Sequence, residues 1–320
     1  ICPNKQKGSP ANERFLSFVN FFKNKGCQTL VCDFPVGFFS QLNTIFFILK
    51  NRPKYIFISQ PPFKFWMLFF IPFFSIILDL RDGWSISIKS GYGGTVKPKK
   101  IKYYFVSFVE FIMFSRSKLI VTCTEGLKGY IENKYKKDVI MVKNGISREN
   151  FNLIESVAPI KSNDDYLVFT CVGQFSEYGV EKVKLVIDTI SKRYSDFKCL
   201  IRVVGASQAA NEWLNNYVKN FKNINYEYIS KVEKKELYSI LKSSDYAIAI
   251  IRDPNYDYGT KIFEYIASGI KVLNYFPNEN NFVNNFSGCF DTSKCNYNKS
   301  VIREEGFIDF DKEFSRRLKE

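Results

Sequence analysis

The stretch Tyr258-Gly-Thr-Lys-Ile-Phe-Glu-Tyr-Ile-Ala-Ser-Gly-Ile-Lys-Val-Leu-Asn-Tyr275 changes pattern twice. Ile262, Phe263, Ile266 and Ala267 fall at helical spacing. Thr260 precedes them as an N-cap, and Gly269 stops the helix. Lys271 to Tyr275 then starts a strand. On the upstream side, Arg252-Asp-Pro-Asn-Tyr-Asp-Tyr-Gly259 is a loop rich in turn formers. Before that, Tyr246 to Ile251 is a short apolar run with polar flanks, which reads as a buried strand. Strand, loop, helix, strand is the parallel α/β crossover.

In such a crossover the helix starts at the carboxyl edge of the sheet, where ligands bind. Free N–H groups at Thr260 and Lys261, with the helix dipole, favour a phosphate there, and Lys261 adds a full positive charge. Glu264 lies one turn further in, about 6 Å along the axis, within reach of sugar hydroxyls. The stretch thus offers a diphosphate contact and a ribose contact. The same residues also read as a capped surface helix with an i,i+3 Lys–Glu pair, and the pattern alone does not choose.

The alternation continues outward. Ile1 to Pro3 reads as the tail of a strand. Lys5 to Pro10 is a polar loop whose Gly8 and Ser9 either turn the chain or touch an acceptor. A helix over Ala11 to Lys23 and a strand over Thr29 to Phe34 follow, then a helix over Phe38 to Lys50 and a strand over Tyr55 to Ser59. Phe63 to Leu80 is nearly all apolar and approaches the roughly 20 residues of a membrane span. Pro72 inside it, with Lys64, Asp79, Arg81 and Asp82 at its ends, argues instead for a buried helix to about Phe70 and a buried strand from Ser75 to Leu80. That strand delivers Asp79-Leu-Arg-Asp-Gly-Trp84 to a loop at the ligand edge, although Arg81 and Asp82 could equally form a surface pair.

Ser85 to Thr95 is polar and glycine-rich, a loop. Lys97, Lys99, Lys100 and Lys102 then open a helix with a stripe of Ile101, Tyr104, Phe105, Phe108 and Ile112. This helix either packs its stripe into a core behind a solvated basic start, or lays cations on anionic headgroups with aromatics at the boundary. Leu119 to Thr124, Val139 to Val142, Tyr166 to Val172, Leu200 to Val204 and Ile224 to Ile229 read as further strands. Helices over Glu125 to Tyr135, Val180 to Arg193, Ala209 to Phe221 and Lys234 to Leu241 lie between or after them. Ile154 to Asp165 is a polar linker. The fold class is α/β, with two Rossmann-like domains, 1–152 and 153–320, facing a cleft. The last forty or so residues are polar and hard to place.

With 320 residues and 46% hydrophobic content the chain can build two cores. Its net charge of +14 favours anionic partners: nucleotide sugars, lipid phosphates, membranes or nucleic acid. There is no histidine, which excludes a Ser-His-Asp triad, a Cys-His dyad and any His metal site. The eight cysteines form no Cys-x-x-Cys, and Cys32, Cys123, Cys171 and Cys199 sit in apolar runs as buried thiols do. A reducing cytoplasm is the simple reading. The chain begins at Ile1 without Met, as a trimmed or partial form would. Nucleic-acid binding would need clustered cations with stacking aromatics. Only Lys97 to Tyr104 offers that, so none is expected.

Thr260-Lys-Ile-Phe-Glu-Tyr-Ile-Ala-Ser-Gly-Ile-Lys-Val272 resembles the donor-site motif of family 4 retaining glycosyltransferases, which have the GT-B fold. In particular it resembles the bacterial enzymes that build O-antigen and capsule. Asp79-Leu-Arg-Asp-Gly-Trp84 is similar to that family's Asp-x-Arg-Asp-x-Trp, and Asn144-Gly145 to its Asn-Gly-Val-Asp segment, with Arg148 where an acid is common. The resemblance implies sugar transfer from a nucleotide sugar to a lipid-linked or surface-polysaccharide acceptor. It assigns the ribose to Glu264, the diphosphate to Lys261 and the Thr260 amide, and orientation or deprotonation of the acceptor to Asp82. Gly8, Ser9, Arg81 and Trp84 would lie on the acceptor side, and Gly173, Gln174 and Gly259 on the donor side. The chain departs from the family at Tyr256, where the first Glu of a Glu-x7-Glu pair would stand. It departs again at Gln174 and Tyr178, where Arg and Lys usually grip the diphosphate. Lys182, Arg252 or Lys261 would have to compensate. These departures motivate the alternative of a non-catalytic homologue that binds nucleotide or glycan as an assembly partner. No cofactor or metal is expected. The expected location is cytoplasmic, extending to the inner face of the membrane as a peripheral protein.

Overall fold

The computed structural model describes residues 1, 9–32, 37–60, 67–71, 73–91, 97–160, 165–291 and 301–318. The chain forms two compact units, Ile1–Gly145 with Ile302–Glu320, and Ile146–Val301. Each contains one parallel sheet.

In the first unit the strands β1 (Ile56–Gln60), β2 (Ile76–Leu80), β3 (Ser117–Thr122) and β4 (Val139–Met141) lie side by side in that order. All pairs are parallel, with Ile58 opposite Leu78 and Leu78 opposite Ile120. Period-two alternation splits β2 between two cores. Ile76, Leu78 and Leu80 join Ile45 and Ile48 of α2 (Phe38–Asn51) and Val109, Met113 and Phe114 of a long helix over Lys100–Arg116. Ile77 points the other way, into a cluster with Phe18 and Phe22 of α1 (Pro10–Asn24).

The expected strand over Thr29 to Phe34 is not formed: residues 29–32 lie outside every ladder, and 33–36 fall outside the described residues. Ile1 makes no ladder either, its amino group donating to the Phe57 carbonyl at 2.8 Å. Of the expected helix from Phe63 to about Phe70, 63–66 lie outside the described residues and Met67–Phe70 forms a 3-10 turn. The loop expected from Ser85 onward is instead a helix, α3 (Trp84–Lys89), with Ser85, Ile86 and Ile88 buried. It packs on α4 (Lys100–Arg116), and α5 (Glu125–Tyr135) follows β3. No helix among the described residues is long and apolar enough to cross a membrane.

The largest correction concerns the chain's end. The sequence places 153–320 in the second domain, but α10 (Phe307–Leu318), numbered after the second unit's helices, packs in the first. Its buried Phe310 sits 5.2 Å from the Phe18 and Phe21 rings, and Phe307 stacks on Phe21 at 5.3 Å. Burying these rings outweighs the helix's otherwise polar composition.

In the second unit the order is β7-β6-β5-β8-β9, again all parallel. The strands are β5 (Leu167–Val172), β6 (Cys199–Val204), β7 (Ile224–Ile229), β8 (Tyr246–Ala247) and β9 (Lys271–Val272). Helices α6 (Arg148–Ser156), α7 (Val180–Arg193), α8 (Lys234–Lys242) and α9 (Lys261–Ala267) flank them. On α7, Val183, Val186, Ile187 and Ile190 are buried at i, i+3, i+4 and i+7. The expected helix over Ala209 to Phe221 is broken into short turns at Gln208–Asn211, Leu214–Tyr217 and Val218–Asn220. The strand expected over Tyr246 to Ile251 pairs only at Tyr246 and Ala247, although Ile248 to Ile251 remain buried. Cys27, Cys32, Cys123, Cys171 and Cys199 are free thiols. Cys289 is disulfide-bonded, so thiols are not the rule throughout.

Candidate active site

In the second unit the carboxyl end of β5 turns at Gly173, whose φ of +82° favours glycine. A Cβ there would lie 3.9 Å from Lys261 Cε, so the turn and the start of α9 form one surface. The cross-link beneath it is Tyr265. This fully buried phenol accepts from Val172 N–H at 3.0 Å and donates to the Ile248 carbonyl at 3.2 Å, tying the ends of β5 and β8 to α9. Sequence reading missed this role because an inward Tyr at helical spacing looks like ordinary core.

Lys261 Nζ pairs with Glu264 Oε2 at 2.9 Å, with the lysine 39% and the glutamate 14% exposed. Both groups are thus present at the carboxyl edge, and in this state they satisfy each other. Thr260 does not cap the helix as expected: its backbone is already helical at φ −105°, ψ −21°, and its side chain makes no capping bond. Gly259, with φ +64°, instead donates to Asp257 Oδ1 at 2.9 Å. Lys182 is committed elsewhere, donating to the Ile251 carbonyl at 3.0 Å and the Arg252 carbonyl at 2.5 Å. Burial pushes its pKa below the ordinary lysine value. In this structure Lys182, expected as a replacement diphosphate cation, holds this loop instead. The loop in turn carries the Arg252 guanidinium 5.0 Å over the Tyr178 ring, a cation–π contact. Thus Tyr178, at the position where the resemblance led to the expectation of a cation, lies under one supplied by the loop after β8. Gln174 is exposed beside Gly173.

In the first unit the carboxyl end of β2 carries the second group of expected residues. Asp79 is not at a ligand edge in the sense expected. It is wholly buried and bonded to Arg14 of α1, with Nη2–Oδ1 at 2.6 Å and Nε to both oxygens at 3.1 Å. Ser59 Oγ donates to the same carboxylate at 2.8 Å. Arg14 Nη1 donates to the Val142 carbonyl at 2.6 Å, which ties β4 to the same pair. Burial works against the charge on Arg14, but the attraction and hydrogen bond of Asp79 outweigh it and hold its pKa above the ordinary value.

Two residues on, Arg81 and Asp82 are half-buried. Arg81 Nε and Nη2 are buried and make no hydrogen bond, so the surface pair with Asp82 does not form through them. Gly83 is closely packed: a Cβ there would meet Leu127 Cδ2 at 2.9 Å, so the leucine would have to shift. Trp84 opens α3. Ser9 caps α1, accepting from Asn12 N–H at 3.3 Å, while Gly8 lies outside the described residues. Among the described residues no group of three or more His, Cys, Asp or Glu side chains could hold a metal ion.

The stripe on α4 is exposed rather than packed. Ile101 is 89% and Tyr104 71% exposed, with Phe105, Phe108 and Phe111 also outside. Only Ile112 of the expected stripe turns inward. The core takes the opposite side of the helix, through Val106, Val109, Met113 and Phe114. Lys97, Lys99, Lys100 and Lys102 are exposed beside the aromatic face.

No family model matches the chain, and no curated protein matches it. Solved structures do. It is similar over its full length, at 11% identity and a TM-score of 0.57, to WaaG, described as a glycosyltransferase involved in lipopolysaccharide biosynthesis; 90% of that chain is covered. The fold is that of the GT-B glycosyltransferases. A glycosyltransferase from Rickettsia africae ESF-5 is similar at 14% identity and a TM-score of 0.54, covering 92% of this chain and 77% of that one. The GtfA/B complex is similar at 9% identity and a TM-score of 0.53 over 88% of this chain, which spans 55% of that GT-B chain.

Proposed function

We propose that this GT-B chain is a glycosyltransferase that moves a sugar from a nucleotide-diphosphate donor to a lipid-linked or surface-polysaccharide acceptor, with retention. The observation that carries the reading is the meeting of the Gly173 turn with Lys261 and Glu264 at the carboxyl edge of the second sheet. The GT-B glycosyltransferases described above support it. In this reading Lys261 and Arg252 neutralise the diphosphate, and Glu264 exchanges its lysine partner for ribose hydroxyls. Gly173, Gln174, Gly259 and the Thr260 amide line the donor side. Asp82 orients the acceptor hydroxyl and assists its proton, with Arg81, Trp84 and Ser9 beside the acceptor. No metal enters this reading.

Turnover of a panel of nucleotide sugars with a lipid extract tests it, after a thermal-shift screen for the donor. Donor binding without turnover would instead support the non-catalytic reading. Glu264→Gln is expected to weaken donor binding roughly tenfold or more, because a charge-assisted hydrogen bond contributes about 1.5–3 kcal/mol. Unchanged affinity in a calorimetric titration would remove the ribose assignment.

The exposed face of α4 supports a peripheral membrane contact on the cytoplasmic leaflet. Aromatics flanked by cations suit the headgroup boundary, and each Lys near an anionic surface contributes on the order of 1 kcal/mol. Replacing Lys97, Lys99, Lys100 and Lys102 with Gln is expected to cut co-sedimentation with anionic liposomes several-fold while leaving neutral liposomes unaffected. Equal sedimentation of both proteins would exclude the contact.

A further inference from the structure

Behind the Arg81–Trp84 turn lies a buried polar network that the proposed reaction does not use. The N-cap of helix α3 is Gly83, which has no side chain to cap it, and Leu127 fills the space where one would stand. The missing cap comes from another helix. Glu110 of α4, wholly buried, accepts the Ser85 backbone N–H on Oε1 at 2.9 Å. Its Oε2 accepts the Ser85 hydroxyl at 2.5 Å and the Tyr135 hydroxyl at 2.6 Å.

With Glu110 ionised, the order of donors in this network is fixed. The single hydroxyl proton of Ser85 goes to Glu110, so the contact of 2.5 Å between Ser85 Oγ and Tyr130 must have the tyrosine as donor. Tyr130 in turn accepts from Lys134 Nζ at 2.6 Å. Lys134 also donates to Ser107 at 2.9 Å and lies 4.9 Å from the Tyr103 and Tyr135 ring centres. Donation therefore runs from Lys134 through Tyr130 and Ser85 to one carboxylate.

We propose that Glu110 is a positioning residue: its buried carboxylate caps α3 in place of Gly83 and fixes the turn that presents Asp82 and Trp84. The catalytic consequence rests on the reading of Asp82 given above; the structural one does not. A glutamine is the conservative replacement, since its amide oxygen can keep the Ser85 N–H while its NH2 group donates to the Ser85 and Tyr135 hydroxyl oxygens; an alanine leaves all three groups without the cap. A small displacement of a reacting group is enough to slow a reaction severely.

The test uses the full chain with Trp66→Phe and Trp213→Phe, leaving Trp84 as the sole reporter among three tryptophans. Adding Glu110→Ala is expected to raise acrylamide quenching of Trp84 at least twofold. It is also expected to lower the transfer rate at saturating donor roughly tenfold with donor affinity unchanged. Unchanged quenching, or a displaced Trp84 with an unchanged rate, overturns the proposal. If the parent protein transfers no sugar at all, the reading of the reaction fails, while the quenching result still decides whether Glu110 holds the turn.

If Glu110→Ala does not fold, pH titration of Trp84 quenching in the Asp82→Asn background decides. That background removes the carboxylate two positions before Trp84; the groups facing Glu110 are Ser85, Tyr135, Lys134 and Tyr130. Burial raises the Glu110 pKa above the ordinary glutamate value. A quenching transition above the ordinary carboxylate range is therefore expected, and a flat profile overturns the proposal.

Discussion

Replacing Asp79 with alanine is expected to destabilise the first unit by about 3–5 kcal/mol, the usual effect of removing one partner from a buried ion pair. Arg14 is wholly buried, so its guanidinium would be left charged and away from water. It would keep the Val142 carbonyl but lose three contacts to the carboxylate. Ser59 Oγ would lose its acceptor as well. A domain of this size is expected to melt roughly 10 °C lower. The pair itself need not be stabilising: ionic pairs removed together and replaced by apolar residues of similar volume are often neutral. Arg14→Met with Asp79→Leu is therefore expected to recover most of the loss in a thermal melt. If Asp79→Ala melts at the parent temperature, the buried pair is not holding α1, β1, β2 and β4 together.

The second large effect is expected at Asp82. Asp82→Asn keeps the shape and removes the charge, and should slow sugar transfer roughly a hundredfold, the usual contribution of general-base assistance. Donor affinity should stay nearly unchanged, because the donor groups Lys261 and Glu264 belong to the other unit. Glu264→Gln should show the reverse pattern. A wild-type rate in Asp82→Asn, or a loss of donor affinity instead, would mean that Asp82 does not serve the acceptor.

The contrast between Asp79 and Asp82 shows how far the sequence could be read. Both sit in one charged run that begins near the end of an apolar strand, and the strand itself was legible because β2 opens on the apolar run Ile76 to Leu78. Strand parity then separates them: Asp79 points to the face covered by α1, where Arg14 waits from 65 positions earlier. No local pattern announces a partner at that distance. The crossover around Lys261 was legible for the same reason β2 was, since helix and strand periods differ sharply there. The commitment of Lys182 to two carbonyls was not, because a backbone acceptor leaves no trace in composition. The stripe on α4 was seen, but its direction was not. With apolar residues on both sides of the helix, periodicity alone does not say which side the core takes.

The return of Phe307 and Phe310 to the first unit imposes an order of assembly during synthesis. Ile146–Val301 is one uninterrupted segment, so all of its sheet has been synthesised before α10 is made. The first unit, although begun earlier, lacks until then the rings that close over Phe18 and Phe21. It also lacks Arg303, which donates to the Gly145 carbonyl at 3.1 Å and to Ser17 Oγ at 3.1 Å. The usual rule that the N-terminal domain is finished first is thus reversed. A nascent chain stalled before Arg303 would expose the aromatic side of α1, the surface on which a holding chaperone would act.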